Sequence, residues 1–251
     1  MENKIPISVV VLAKNEAGRI RDCLASVAWA DERLVVDDES IDETAAIASA
    51  MGARVVRRRM DIEGRHRNWA HAQTSHEWVL SLDADERVTP MLAEEITHLL
   101  RNGPSHDLYT IPRRNFLGDH WIRYGGWYPS AQLKLFKKSV FHWEETTVHP
   151  RAISDRPASQ LQGDILHYSY RDRQDFLAKL DRQTTLEAEK WVTSGRRMTW
   201  LTALWRTADR WVRSYVLKQG FRDGAVGWFV ARMAGTYQWL SYQKYRRLKR
   251  C

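Results

Sequence analysis

Trp78-Val79-Leu80-Ser81-Leu82-Asp83-Ala84-Asp85-Glu86 is the stretch on which the reading of this chain turns. An apolar run ends abruptly in three carboxylates within four residues. The run predicts a buried strand with the acids at its carboxyl end, the edge where ligands bind in open α/β sheets. Carboxylates packed this closely repel one another unless a cation or polar ligand offsets them. A hard divalent cation bridging to phosphate does so, held typically by one or two carboxylates plus substrate oxygens.

Working outward, Ile7–Leu12 is a β-branched apolar run and predicts a fully buried parallel strand. Residues 17–29 place Ile20, Cys23, Leu24 and Val27 on one helical face. A second short strand, 33–36, ends in Asp37-Asp38, and Asp42 or Ser40 can cap an alanine-rich helix that stops near Gly52. Strand 54–56, helix 65–75 and strand 77–82 complete a β-α-β-α-β-α-β order, which predicts a mostly parallel sheet with helices on both faces. Thr89-Pro90 opens a further helix through Leu100. From 107 to about 170, short strand-like pieces alternate with aromatic, glycine-containing loops, as in an added antiparallel or mixed region. From about 172 the pattern is helical. The domains expected are therefore 1–170, divided at 105/106 into a ligand-binding half and an acceptor-side half, and a helical region 171–251.

With 251 residues, 43% of them hydrophobic and 28% charged, the chain can build a sizeable core and is not disordered. No stretch approaches the roughly 18–20 apolar residues of a membrane span, and Met1-Glu2-Asn3-Lys4 lacks a signal-peptide pattern. The two cysteines, Cys23 and Cys251, suggest neither a disulfide framework nor a metal knuckle, so a cytoplasmic setting is expected. The net charge of +8 is uneven: residues 171–251 hold 18 basic and 7 acidic groups, while residues 1–170 are slightly acidic. A basic C-terminal third points to an anionic membrane face or a nucleic acid.

Taken singly, either acidic strand end also suits helix capping. Both, however, fall on one edge of one predicted sheet. A nucleotide lying across that edge needs acceptors for its ribose hydroxyls and base N–H groups, and a metal for its phosphates. No Gly-x-Gly-x-x-Gly follows the first strand and no Gly-x-x-x-x-Gly-Lys-Ser/Thr occurs. The dinucleotide and P-loop readings lose their main support, and a metal on Asp85 becomes the expected phosphate anchor.

Val9–Glu16, Val35–Thr44, Arg67-Asn68 and Leu82–Glu86 together resemble the nucleotide-binding half of inverting family-2 glycosyltransferases, which have the GT-A fold. Trp78 to Pro90, Gly126-Trp127-Tyr128-Pro129, Val148-His149, Leu166-His167-Tyr168 and Gly220–Gly224 extend the resemblance to the subgroup that adds glucose to the lipopolysaccharide inner core. The resemblance implies a Rossmann-like GT-A fold with a helical, basic C-terminal region. It implies nucleotide-sugar contacts from Ala13, Asn15, Glu16, Asp37, Asp38, Arg67, Asp83 and Ala84, with Asp83 on the ribose side. It implies Mn²⁺ or Mg²⁺ on Asp85.

A sugar hydroxyl that attacks an anomeric carbon with inversion needs a base within hydrogen-bond reach. Candidates lie in His142–His149. In the subgroup Val-His is commonly followed by Glu, an acid resembling the base, and Tyr-Pro by Asp; here Pro150 and Ser130 stand in those places. The base is accordingly expected at Glu145, then Glu144 or His149. Trp121, Trp127, Tyr128 and Trp143 offer aromatic faces that suit sugar rings, and Trp127 and Tyr128 are the expected acceptor contacts. Each of these residues also has a plainer reading as a packed aromatic or a surface acid.

In the C-terminal third, Leu201, Leu204, Trp205, Ala208, Val212 and Tyr215 share one helical face and Arg206, Arg210 and Arg213 another, a pattern suited to the headgroup layer of an anionic membrane or to ordinary packing on the catalytic domain. The function expected is a metal-dependent inverting transfer of a hexose, glucose first, from a nucleotide-sugar (a UDP-sugar) to a lipid-linked saccharide such as the lipopolysaccharide core. The location expected is the cytoplasmic, inner face of the cell membrane, with no nucleic-acid partner. Two alternatives remain: a nucleotidyltransferase acting on a sugar phosphate, and a nucleic-acid-binding protein that uses the basic third.

Overall fold

A computed structural model describes residues 5–146 and 150–249. The elements run β1 (Ile7–Ala13), α1 (Ile20–Ser26), β2 (Glu32–Asp37), α2 (Thr44–Ala50), β3 (Arg54–Arg57), α3 (Glu63–Ala72), β4 (Trp78–Asp83), β5 (Glu86–Val88), α4 (Pro90–Asn102), β6 (Leu108–Ile111), β7 (Arg113–Leu117) and β8 (His120–Ile122). There follow β9 (Gln132–Lys137), β10 (His142–Trp143), β11 (Ala152–Ile153), β12 (Ala158–Gln160), β13 (Ile165–Tyr170), α5 (Arg173–Thr193), α6 (Trp200–Val212) and α7 (Gly224–Leu248). They form two compact units, Met1–Arg113 with Ala131–His167, and Arg114–Ser130 with Tyr168–Cys251.

The first unit is built on a seven-stranded sheet of order β12-β6-β9-β4-β1-β2-β3. β4, β1, β2 and β3 run parallel, so the carboxyl ends of β4 and β2 lie on one edge with that of β1 between them. Alternation along β1 explains the two layers of helix. Val9 and Val11 pack with Ile20, Cys23 and Leu24 of α1 and Leu92, Ile96 and Leu100 of α4. Val10 faces the other way, with Ala70 of α3 and Phe136. Thr89 accepts a hydrogen bond from the Leu92 N–H and Pro90 occupies the first turn of α4, the expected start of that helix.

Part of the region after residue 107 joins this sheet: β9 pairs antiparallel with β4, β6 with β9, and β12 extends the sheet beyond them, while β7–β8 and β10–β11 belong to other sheets. The parallel core would otherwise leave β4 as an open edge, and the returning strands close it. The short strand β5 has no signal in the hydrophobic pattern. It pairs antiparallel with the start of β13, setting Ile165 opposite Val88, Leu166 opposite Arg87 and His167 opposite Glu86.

The second unit holds the helices. Leu117 and Ile122 of the β7–β8 hairpin pack with Phe176 and Leu180 of α5 and Val230 and Met233 of α7. Trp191, Met198, Ala203, Tyr242 and Tyr245 form a second cluster. Asp172 caps α5 and Thr199 caps α6, each accepting from a backbone N–H of the first turn. Of α6 only Ala203 is buried. Leu201, Leu204, Trp205 and Val212 are 59%, 52%, 63% and 40% exposed, so the apolar face is left uncovered by the fold. No helix among the described residues is long and apolar enough to cross a membrane.

Candidate active site

Two cavities of about 460 and 220 Å³ adjoin at the carboxyl edge of the sheet, and Glu63, Arg67 and Asp83 line both. Asp83 ends β4. Its carboxylate accepts from Arg67 Nη2 at 3.2 Å and from Lys134 Nζ at 3.2 Å. Burial alone would push this carboxyl up; the Lys134 and Arg67 charges outweigh it and hold the group well below the usual carboxylate range. Asp83 is thus a fixed anion and a fixed acceptor.

Glu86, the third acid of the opening stretch, is fully buried. It accepts from Lys134 Nζ at 2.6 Å, from Arg113 Nη1 at 3.4 Å and from the Asp83 backbone N–H at 3.0 Å. Glu86 therefore anchors the turn that carries Asp83 and Asp85. Lys134 carries the matching sequence signal, a lysine inside the apolar strand Leu133-Lys134-Leu135-Phe136, because a buried lysine needs an acid.

Asp85 Oδ2 lies 3.6 Å from His167 Nε2 and 3.9 Å from Arg19 Nη1. The β5–β13 register explains this meeting across eighty residues, because His167 sits opposite Glu86, one position past Asp85. Among the described residues, no three His, Cys, Asp or Glu side chains gather into a closed metal cage. An acid and an imidazole at this distance instead fit a cation whose remaining ligands come from a bound phosphate group. His167 also lines the larger cavity.

The second acidic strand end divides its labour. Asp37 is fully buried; it accepts from the Ser40 N–H and pairs with Arg57 Nε at 3.3 Å, building the turn after β2. Asp38 lines the smaller cavity and accepts from Lys14 Nζ at 2.9 Å and the Met60 N–H at 2.7 Å. Burial raises its carboxyl, and those two hydrogen bonds bring it below the ordinary value.

Ala13 lines the same cavity, and its carbonyl accepts from the Asp38 N–H. Asn15 takes positive φ, donates its N–H to Ser40 Oγ and accepts from the Ile41 N–H; the Glu16 N–H donates to Thr44 Oγ1. Asn15 and Glu16 stitch the β1 and β2 loops together and line neither cavity. Ala84 is buried, its N–H bonded to the Leu12 carbonyl. The cavities therefore gather Ala13, Asp38, Arg67 and Asp83, while Asp37, Asn15, Glu16 and Ala84 shape the loops around them.

Glu144 and Glu145 lie between two cavity-lining residues, Trp143 and Pro150. Neither glutamate lines the cavity itself. Glu145 pairs with Arg65 Nε at 3.1 Å and Glu144 with Arg151 Nε at 3.4 Å, both near the surface. A side chain at Gly64 would meet the Glu144 carbonyl oxygen at 1.9 Å, so the glycine lets this segment press against the first turn of α3. His149 lies outside the described residues.

Trp127 and Tyr128 belong to the second unit. Trp127 packs edge-on to Tyr170, and its carbonyl accepts from Asn115 Nδ2 at 2.7 Å. Tyr128 stands edge-on to Trp121 with ring centroids 5.4 Å apart, and a cis peptide bond joins it to Pro129.

A lipopolysaccharide core biosynthesis glycosyltransferase of Rhizobium meliloti is 25% identical over 96% of this chain and 92% of its own length. An uncharacterized glycosyltransferase of Rickettsia typhi is 24% identical over 96% of the chain and 87% of its length. Among solved structures, glucosyl-3-phosphoglycerate synthase of Mycobacterium tuberculosis, in complex with Mn²⁺, UDP and glucosyl-3-phosphoglycerate, matches 47% of this chain with 27% identity and a TM-score of 0.37. The match spans only 45% of that structure's chain. The family model for glycosyl transferase family 2 matches residues 8–159, more than half of the chain and all of the central sheet but its first and last residues. The chain is a glycosyltransferase and belongs to glycosyl transferase family 2.

Proposed function

We propose that the protein transfers a hexose, glucose first, from a UDP-sugar to a lipid-linked saccharide of the lipopolysaccharide-core type, with inversion and with a divalent cation. The observation that carries this reading is the acidic sheet edge, where Asp83 lines two adjoining cavities and Asp85 stands 3.6 Å from His167. Each cavity is walled by polar groups of both charges, as a nucleotide joined to a sugar demands. Asp38 and Asp83 serve as acceptors for base and ribose groups, and Arg67 and Lys134 keep Asp83 ionised. Asp85 and His167 would hold Mn²⁺ or Mg²⁺, which supplies charge compensation for the leaving diphosphate. The base that takes the acceptor proton is proposed from the segment after Trp143, with Glu145 before Glu144 and His149. The acceptor class is supported by the Rhizobium meliloti relative, named for lipopolysaccharide core biosynthesis.

The uncovered face of α6 supports a peripheral place on an anionic membrane, on its cytoplasmic side. Leu201 and Leu204 stand exposed on a helix of the basic C-terminal third, the combination that enters a headgroup layer. The test is a transfer assay with a panel of nucleotide-sugars and defined lipopolysaccharide core acceptors, with Mn²⁺ or with chelator, and products read by mass spectrometry and anomeric NMR. A single added hexose of inverted configuration, lost with chelator, is expected. Turnover of no nucleotide-sugar would end the reading.

A further inference from the structure

The second unit holds a cavity of about 620 Å³, larger than either at the sheet edge and of opposite charge. Its wall includes Arg206, Arg210, Arg213 and Lys218 against a single acid, Asp209. That acid is taken: Asp209 Oδ1 pairs with Arg213 Nε at 2.7 Å. Arg206, Arg210 and Lys218 make no ion pair or side-chain hydrogen bond among the described residues. Burial, and then the like charges of Arg196 and Arg210, hold the Arg206 guanidinium below its ordinary value, with Glu187 offsetting only part of this. Cations gathered in a concave wall without anions repel one another, and an entering anion relieves them.

A second, independent feature points the same way. Gln238 is 3% exposed and lines this cavity, and its Oε1 is buried with no hydrogen-bond partner among the described residues. A buried acceptor left unmet costs free energy until a donor arrives. Inorganic phosphate carries its O–H on the charged group itself, whereas a sugar phosphate adds hydroxyls away from its charge. Trp127 and Trp205 stand in the same wall and offer faces to a sugar ring. The loop that shapes the rim is fixed in place: the Gly125 N–H donates to the Lys218 carbonyl at 2.8 Å, and Ser214 Oγ donates to the Gly125 carbonyl. At Gly126, with φ of +86°, a side chain would meet the Lys218 side chain at 2.7 Å, so glycine keeps the rim open.

We propose that this cavity binds a negatively charged sugar, one bearing phosphate or carboxylate, through Arg206, Arg210 and Lys218 on the charge and Gln238 on a hydroxyl. Identifying that sugar with part of the lipid-linked acceptor rests on the function proposed above; the binding itself does not. The probe is glucose 6-phosphate, titrated without any nucleotide-sugar and followed by tryptophan fluorescence and calorimetry, beside glucose, inorganic phosphate and phosphatidylglycerol vesicles. Saturable binding of glucose 6-phosphate is expected, about tenfold tighter than phosphate or glucose, since charge and hydroxyl are then both met. Arg206→Gln with Arg210→Gln should weaken it at least about tenfold, and Gln238→Leu should erase the advantage over phosphate. Arg232→Gln on the exposed side of α7 controls for lost charge and should leave the titration unchanged.

Each variant is checked by its melting curve, and Lys218→Gln, on an exposed side chain, stands in if the double variant does not fold. Glucose 6-phosphate binding no tighter than phosphate, or equal in native and variant protein, overturns the proposal. So does a response to phosphatidylglycerol vesicles alone, which would assign these cations to the bilayer surface. Because no donor is present, binding here with no nucleotide-sugar turnover would sink only the function proposed above. Turnover without this binding would sink only the pocket.

Discussion

The acidic edge of the sheet and the basic cavity among the helices use charge in opposite ways. At the sheet edge the described carboxylates are answered within the protein: Asp83 by Arg67 and Lys134, Glu86 by Lys134 and Arg113, Asp38 by Lys14. In the helical cavity, among the described residues, Arg213 pairs with Asp209, while Arg206, Arg210 and Lys218 make no ion pair. The first arrangement is organised before any ligand arrives and loses little on binding. In the second, as proposed, an entering anion would supply the stabilisation. A site for a demanding chemical step and a site for holding a charged group differ in this way.

The largest effect is expected at Asp85, which lies 3.6 Å from the His167 imidazole and 3.9 Å from the Arg19 guanidinium. Asp85→Ala should lower transfer by about a hundredfold to a thousandfold, the scale of lost metal-assisted charge stabilisation, with an unchanged far-ultraviolet spectrum. Near-native turnover would remove the metal role. Glu86→Gln strikes the compensated side. It leaves Lys134 buried against a neutral amide and should cost about 3 kcal/mol in urea unfolding. A loss within experimental error would mean that Lys134 leans on Asp83 alone. Glu145→Gln should slow turnover about a hundredfold with donor affinity little changed; equal turnover would move the base to Glu144 or His149. On the helical side, Leu201→Ser with Leu204→Ser should weaken partitioning onto phosphatidylglycerol vesicles by about tenfold or more. Unchanged partitioning would return α6 to an ordinary solvated helix.

A further effect concerns pH. Burial, then the charges of Arg67 and Lys134, push the His71 imidazole down to about 3. Its folded value lies below the ordinary 6.5, so the unfolded chain takes up the proton first. This part of stability is complete above pH 6.5 and declines as pH falls from there toward 3, by about 1.4 kcal/mol per pH unit. His71→Gln should flatten urea midpoints between pH 6.5 and 5. An equal slope would show that the cations around Asp83 are not felt at His71.

How far the sequence could be read follows from the range of the interactions involved. The parallel strands and the acidic ends of β2 and β4 were legible, because β-branched runs and abrupt changes of polarity are local signals. The mostly parallel sheet with helices on both faces followed from their order, and the GT-A fold from the family resemblance. The pairing of β5 with β13 was not legible. Three residues carry no period, and the register that sets His167 opposite Glu86 is a contact across eighty residues. The anchoring role of Glu86 was not legible, because its partners, Lys134 and Arg113, lie on other strands. The face of α6 was visible as amphipathic. Whether the fold covered it was not, since an amphipathic pattern looks the same whether the apolar side meets protein or lipid.

The central claim is that the acidic edge, through Asp83 and Asp85, holds a nucleotide-sugar with a divalent cation. It is tested most directly by the melting temperature with UDP-glucose, with and without Mn²⁺, for the native protein and for Asp85→Ala. At about a hundredfold excess over Kd the native protein should melt roughly 5 °C higher with both ligands than with either alone, and Asp85→Ala should lose most of that gain. No shift in the native protein with any UDP-sugar, or an equal shift in the variant, would contradict the account.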